Sequence, residues 1–158
     1  MLSTQHRMRP EISSMMQQHF YEDLLNSEVV LSRPHVKGLQ KDVVYIQHSN
    51  PEIYVEEDES RKNVFEVNYA LSLTKYFLQQ GYDFNQIAIL CTYSIQRYNL
   101  RRAAKKMFGD EENSRISKIR IENVDNYQGE ECDIIILSLV RSKSENNKIG
   151  YLNVNLLF

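Results

Sequence analysis

Ile87–Cys91 reads Ile-Ala-Ile-Leu-Cys, an unbroken apolar run of strand length. Such runs are typical of a parallel sheet covered on both faces, because a strand with one wet face alternates apolar and polar residues. Residues 133–140 (Asp-Ile-Ile-Ile-Leu-Ser-Leu-Val) make the strongest strand in the chain, and residues 119–124 another. Helical patterns lie between them. In residues 63–80, Val67, Ala70, Leu71, Thr74 and Leu78 recur at spacings of three and four, which places them on one helix face. Gly81 follows, where a left-handed cap is expected. Residues 94–108 read as a basic helix. Strands alternating with helices predict an α/β fold with a mostly parallel sheet and helices on both faces.

Ahead of these, residues 10–25 read as a helix with Pro10 at its first position and Ile12, Met15, Met16 and His19 near one face. Residues 43–47 (Val-Val-Tyr-Ile-Gln) are expected to form a short strand, and the acidic residues 50–62 a solvated loop. In open parallel sheets, ligands bind at the carboxyl ends of the strands. The polar turns after Cys91, Val124 and Val140 are therefore where function is sought.

The 158 residues fit one domain, and 42% hydrophobic content is ordinary for a globular core. With 19 basic and 21 acidic residues, no global charge excess points to nucleic acid, so any such binding must come from a local face. Cys91 and Cys132 form no Cys-x-x-Cys pair and both fall in apolar stretches, so they are expected to be buried, reduced thiols of a reducing compartment. The four histidines have no ligand spacing, and no metal is assigned. No transmembrane run and no signal peptide is read, and a cytoplasmic or nuclear location is expected.

Three segments carry chemistry. In Gln5-His6-Arg7-Met8-Arg9-Pro10, an arginine stands beside a helix start, where its planar fork matches phosphate oxygens. In Thr92-Tyr93-Ser94-Ile95-Gln96-Arg97, Thr92 or Ser94 can cap a helix whose free amides can hold a phosphate, and Tyr93 can stack on a base. In Val124-Asp125-Asn126-Tyr127-Gln128-Gly129-Glu130-Glu131, Gly129 lets the backbone turn tightly, and Gln128 or Glu131 can accept from a sugar hydroxyl. Each also has a plain reading: a solvated arginine, an ordinary helix start with a surface tyrosine, and a strand-connecting turn. Arg101, Arg102, Lys105 and Lys106 read as the solvated face of an amphipathic helix, or as a phosphate-attracting cluster.

Taken together, Gln-His-Arg-Met-Arg-Pro and the later Val-Asp-Asn-Tyr-Gln-Gly-Glu-Glu-Cys-Asp-Ile-Ile-Ile-Leu-Ser-Leu-Val-Arg-Ser resemble the second RecA-like lobe of up-frameshift-type superfamily-one helicases. The likeness is greatest to the NFX-type zinc-finger helicases linked to RNA silencing and antiviral sensing. It covers residues 2 to about 155. It implies a three-layer RecA-like, P-loop NTPase-type sheet, and a motor lobe of an ATP-dependent RNA or DNA helicase. Arg7 matches the catalytic arginine that reaches the terminal phosphate of ATP. Gln5, His6, Gly129 and Glu131 match nucleotide-cleft positions, His6 standing where the family often has a Tyr near the base and Glu131 near the ribose. Tyr93, Gln96 and Asn126 match the track for single-stranded RNA or DNA. Asn123 and Asn126 replace the family's usual Thr and Ser.

The sequence contains no Gly-x-x-x-x-Gly-Lys-Ser/Thr loop and no Walker B strand. By the resemblance both belong to the first RecA-like lobe, which is the expected partner and the main holder of ATP and Mg2+. Ile149-Gly150-Tyr151-Leu152 resembles the approach to motif VI, whose arginine-bearing segment does not follow. Residues 1–158 are thus expected to be a partial second lobe, truncated at the C-terminal end and unable to hydrolyse ATP by itself. The alternative expectation is a catalytically inactive RNA- or protein-binding module derived from such a lobe.

Overall fold

A computed structural model describes residues 3–109 and 119–142, and the chain divides into two compact units, residues 1–47 and 48–158. In the first unit, strand β1 (Thr4–Gln5) pairs in parallel with β2 (Leu25–Asn26). Helix α1 (Pro10–Gln17) lies between them, with Pro10 at its start as expected. It stops eight residues short of the expected end at residue 25. The amides of His19, Phe20 and Tyr21 all turn back onto the Met16 carbonyl, closing the helix. Leu25 and Asn26 are then drawn into the ladder with β1, so strand pairing overrides helical pattern. Helix α2 (Glu28–Leu31) follows.

Residues 43–47 form no strand, which corrects the expectation. Val44 and Tyr45 are 55% and 80% exposed, and β-branched composition without a partner strand does not make one.

In the second unit, residues 50–62 are no loop but hold a hairpin. Strand β3 (Ile53–Val55) pairs antiparallel with β4 (Ser60–Lys62) across a 3-10 turn, Glu56–Asp58. Its acidic tip hides the strand signal. The hairpin is anchored by Glu52, whose buried carboxylate pairs with Arg61 at 3.5 Å and Arg141 at 2.9 Å.

Helix α3 (Val64–Gln79) starts at Asn63, whose side chain accepts from the Glu66 N–H. Its buried face is Val67, Ala70, Leu71, Thr74 and Phe77, so Phe77 replaces the expected Leu78. Gly81 has φ +92°, the left-handed conformation expected there. Strand β5 (Ile87–Cys91) is buried at every residue. Helix α4 (Ser94–Phe108), strand β6 (Arg120–Asn123), a 3-10 turn (Val124–Tyr127) and strand β7 (Ile134–Ser138) complete the unit.

The sheet order is β6-β5-β7, all parallel, with Ile89 opposite both Ile121 and Ile136. This is the α/β arrangement of RecA-like type that the sequence predicts. Ile89, Cys91 and Ile121 pack with Leu71 of α3 and Leu100 of α4 in one core cluster. Both long helices thus share one face of the sheet. The other face, Ala88 and Leu90, packs under Tyr127 and Cys132.

Strand β7 is one-sided: Ile135 and Leu137 are 49% and 52% exposed. Ile135 and Leu137 lie opposite Ala88 and Leu90, on the face away from α3 and α4, so the expected helices on both faces are not found among the described residues of this unit. The expected approach to motif VI at residues 149–152 lies outside the described residues.

Candidate functional site

Gln5 ends β1 and builds the turn that follows. Its Oε1 accepts from the amides of Arg7 (2.9 Å) and Met8 (2.7 Å). Its Nε2 donates to the Met8 carbonyl and to Asn26 Oδ1, both at 2.6 Å. Asn26 Oδ1 also accepts from the buried Ser13 hydroxyl at 2.8 Å. Gln5 is therefore the frame of the turn and does not point outward, unlike the nucleotide contact expected of it. From the other side, Arg33 donates to the Arg7 carbonyl at 2.8 Å and to the His6 carbonyl at 3.4 Å. The side chains of His6 and Arg7 are exposed on this doubly braced turn.

The second arginine of the hexamer does different work. Arg9 pairs with Asp42 Oδ2 at 3.1 Å and donates to the Pro34 carbonyl. Asp42 also accepts from the Val36 amide at 2.7 Å and contacts His35 Nδ1 at 2.7 Å. Desolvation pushes the Asp42 carboxyl up, but the Val36 N–H, His35 and Arg9 outweigh it and hold it below its ordinary value. Arg9 thus staples its unit through Asp42, whereas Arg7 stands on the braced turn as an exposed residue.

The remaining candidates belong to the second unit, at the carboxyl edge of its parallel sheet. Tyr93 is half-buried at the N-cap of α4, which has no side-chain cap. The expected capping by Thr92 or Ser94 is not found. Thr92 Oγ1 instead donates to the Leu139 carbonyl at 3.1 Å, beyond the end of β7, and Ser94 Oγ accepts from Asn123 Nδ2 at 3.0 Å. These bonds join the turn after β5 to the ends of both neighbouring strands.

Gln96 departs from the role given to it. Its side chain is fully buried and bonded to Asn63 and Ser138, so it cannot touch a nucleic acid directly. The signal was legible: positions 96, 100 and 104 share one face of α4, and Leu100 and Ala104 are core residues.

Asn126 is exposed in the 3-10 turn after β6, and Glu131 is exposed further along the same connection. Gly129 has φ +84°, and a Cβ there would meet nothing within 4 Å. Backbone conformation, not crowding, explains glycine at this position. Glu130 pairs with Arg120 of β6, which fixes one side of the turn.

The basic face of α4 is partly neutralised. Glu122 of β6 binds Arg97 at 3.2 Å and Arg101 at 2.5 Å, while Arg102, Lys105 and Lys106 are exposed. Cys91 is a buried free thiol as expected, and burial pushes its pKa up to about 11. Cys132 is only half-buried, because it lies in the connection before β7 and not in a strand. Among the described residues, no group of three or more His, Cys, Asp or Glu is placed to hold a metal ion, and no helix is long and apolar enough to cross a membrane. Sequence reasoning passed over Arg33, Asn63, Glu66 and Ser138. Only Asn63, a capping type three residues before Glu66, carried a local signal.

The family model described as "AAA domain" matches residues 1–155. NFX1-type zinc finger-containing protein 1 of Homo sapiens is 41% identical over 98% of this chain, which covers 8% of that protein. The Schizosaccharomyces pombe helicase required for RNAi-mediated heterochromatin assembly 1 is 28% identical over 96% of the chain, covering 15% of its own length. The Drosophila melanogaster regulator of nonsense transcripts 1 homolog is 31% identical over 96% of the chain, covering 13% of its length. The chain therefore spans well under a fifth of each of these relatives.

Proposed function

Since the chain belongs to the AAA domain family, as a helicase-type domain, we propose that it serves as the second motor lobe of an ATP-dependent RNA helicase or translocase. The observation that carries this reading is the braced turn at Arg7. The backbone of exposed Arg7 is fixed from one side by Gln5 and from the other by Arg33. A flexible arginine must be ordered before it can act, whereas this backbone is already set. Preorganised positive charge aimed at a phosphate acts with little reorganisation.

In this reading Arg7 meets the terminal phosphate of a nucleotide held by a first lobe, with His6 beside the base. ATP with Mg2+ supplies the phosphoryl transfer that drives movement, and both are held mainly by that first lobe. Gly129 and Glu131 line the rim of the cleft near the ribose. Tyr93 and Asn126 face a single-stranded RNA or DNA, Tyr93 by stacking and Asn126 by hydrogen bonding. Gln96 serves the same edge from within the core. A protein working on such strands belongs in the cytoplasm or nucleus.

The sequence contains no phosphate loop, which favours a second reading as a binding module if no first lobe acts with it. The test is RNA-stimulated ATP hydrolysis by this chain by itself and by the chain joined behind a relative's first lobe. Activity is expected only in the joined protein, with Arg7→Ala lowering it by about a thousandfold or more, the scale of a lost arginine finger. Activity in the joined protein that is indifferent to Arg7→Ala would overturn the role given to Arg7. A joined protein that folds and binds ATP and RNA but does not turn over would favour the binding module.

A further inference from the structure

A buried polar clasp ties the starts of α3 and α4 to the carboxyl end of β7. Asn63 and Gln96 are fully buried, and Ser138 is nearly so. The primary amide of Gln96 pairs with a peptide group as another backbone would. Its Oε1 accepts from the Asn63 N–H at 2.9 Å, and its Nε2 donates to the Asn63 carbonyl at 3.1 Å. The same nitrogen donates to Ser138 Oγ at 3.0 Å, and Ser138 donates in turn to Glu66 Oε2 at 2.5 Å. Every polar atom of the Gln96 side chain is engaged. An apolar residue would leave the Asn63 peptide unsatisfied in the core, and a carboxylate would lose both donors.

The clasp holds a strained turn. Val140 has φ +69°, and the Arg141 N–H donates to the Leu139 carbonyl at 2.7 Å. A bond between residues two apart with positive φ at the centre is a γ-turn, of the hand that is rare and strained. A β-branched residue is a poor occupant of that conformation, and such strain persists only where the surroundings over-determine it. Here they do. The Val140 N–H donates to Glu66 Oε2 at 3.0 Å, and its carbonyl accepts from Asn63 Nδ2 at 3.2 Å. The Leu139 carbonyl accepts from Thr92 of the turn after β5. Past the γ-turn, the Ser142 amide donates to the buried Glu52 carboxylate at 2.8 Å.

We infer that Asn63, Glu66 and Gln96 are positioning residues that lock the Thr92–Ser94 turn and the Val140 γ-turn into one rigid edge, against which a single-stranded nucleic acid is bound. The nucleic-acid part rests on the function proposed above; the clasp does not. None of the three touches the strand. They set the backbone that does, so a buried glutamine governs affinity for a ligand it never meets.

The test uses the full chain, with Gln96→Met and the milder Ser138→Ala. Phe77→Leu, a core change on α3 away from the clasp, serves as a matched loss of stability. Three quantities are read: the thermal melt, hydrogen exchange at the Val140 and Arg141 amides, and the affinity for a short oligouridine. In Gln96→Met, exchange at both amides is expected to quicken by about tenfold or more, the scale of one lost buried hydrogen bond. Oligouridine affinity is expected to fall by about tenfold. Ser138→Ala should shift both the same way by less, and Phe77→Leu should leave affinity unchanged. Unchanged exchange at both amides in folded Gln96→Met overturns the clasp, and Ser138→Ala decides by the same amides if Gln96→Met does not fold. Quickened exchange with full affinity overturns the positioning role. If the unaltered chain binds no oligouridine, the nucleic-acid reading fails, while the amides still judge the clasp.

Discussion

The guanidinium of Arg33 bonds the main-chain carbonyls of Arg7 and His6, at 2.8 and 3.4 Å, across 26 and 27 residues of sequence. One arginine thus shapes the backbone that carries another. Arg33→Lys keeps the charge but loses the two-pronged grip, because a lysine cannot span two carbonyls with planar geometry. In the protein joined to a first lobe, this change is expected to lower RNA-stimulated ATP turnover by about tenfold. The melting temperature should stay within a few degrees, since the bonded pair is exposed. Turnover unchanged by Arg33→Lys would remove Arg33 from the device.

The central strand carries stability unevenly with the edge strand. Ile89 is fully buried between two neighbouring strands and two helices, so Ile89→Ala is expected to cost about 2–5 kcal/mol in urea unfolding. Ile135, on the exposed side of β7, should cost under about 1 kcal/mol when cut to Ala. Equal losses would mean that the Ile135 side is covered in solution.

Asp42 makes the first unit acid-sensitive. Its folded pKa lies below the ordinary 3.8, so the stability it contributes is present above that value and is lost as pH falls through the folded pKa. Asp42→Asn should lower the melting temperature at neutral pH and flatten its decline as pH falls below the ordinary 3.8. A variant whose acid profile parallels the unaltered chain would place the acid transition elsewhere.

The two thiols should react in a fixed order. Cys91 is buried with its pKa raised to about 11, so at neutral pH it is protonated and out of reach. Half-buried Cys132 is expected to take up a maleimide first, with Cys91 reacting only on unfolding. Because Cys91 titrates higher in the folded chain, its stabilising contribution holds below the unfolded pKa and is lost as pH rises through the folded value. Native-state labelling of Cys91 at the rate of Cys132 would contradict the packing of β5.

What the sequence reveals depends on whether the deciding force is local. Ile87–Cys91 and Ser94–Phe108 match their expected bounds, because periodicity and burial agree there. The hairpin at Ile53–Val55 and Ser60–Lys62 escaped notice, since its anchor, Glu52 with Arg141, spans 89 residues of sequence. Residues 43–47 misled in the opposite direction, offering β-branched composition with no strand to pair. The stapling role of Arg9 could not be read locally, because its partner Asp42 lies 33 positions beyond it. Gln96 is buried where a nucleic-acid contact was expected. Its motif marked the position, but only burial shows that the amide faces inward.

The pairing of Glu122 with both Arg97 and Arg101 has a consequence for ionic strength. The single carboxylate offsets one of the two guanidinium charges, so the cluster displaces fewer condensed cations from a polyanion than two free arginines would. The slope of log affinity against log salt should therefore follow the remaining cations and be shallow, roughly one to three. Glu122→Gln should steepen it by about one, because it removes the one charge that offsets the two arginines. A single β-strand acid would thus set how far binding responds to the salt around the chain.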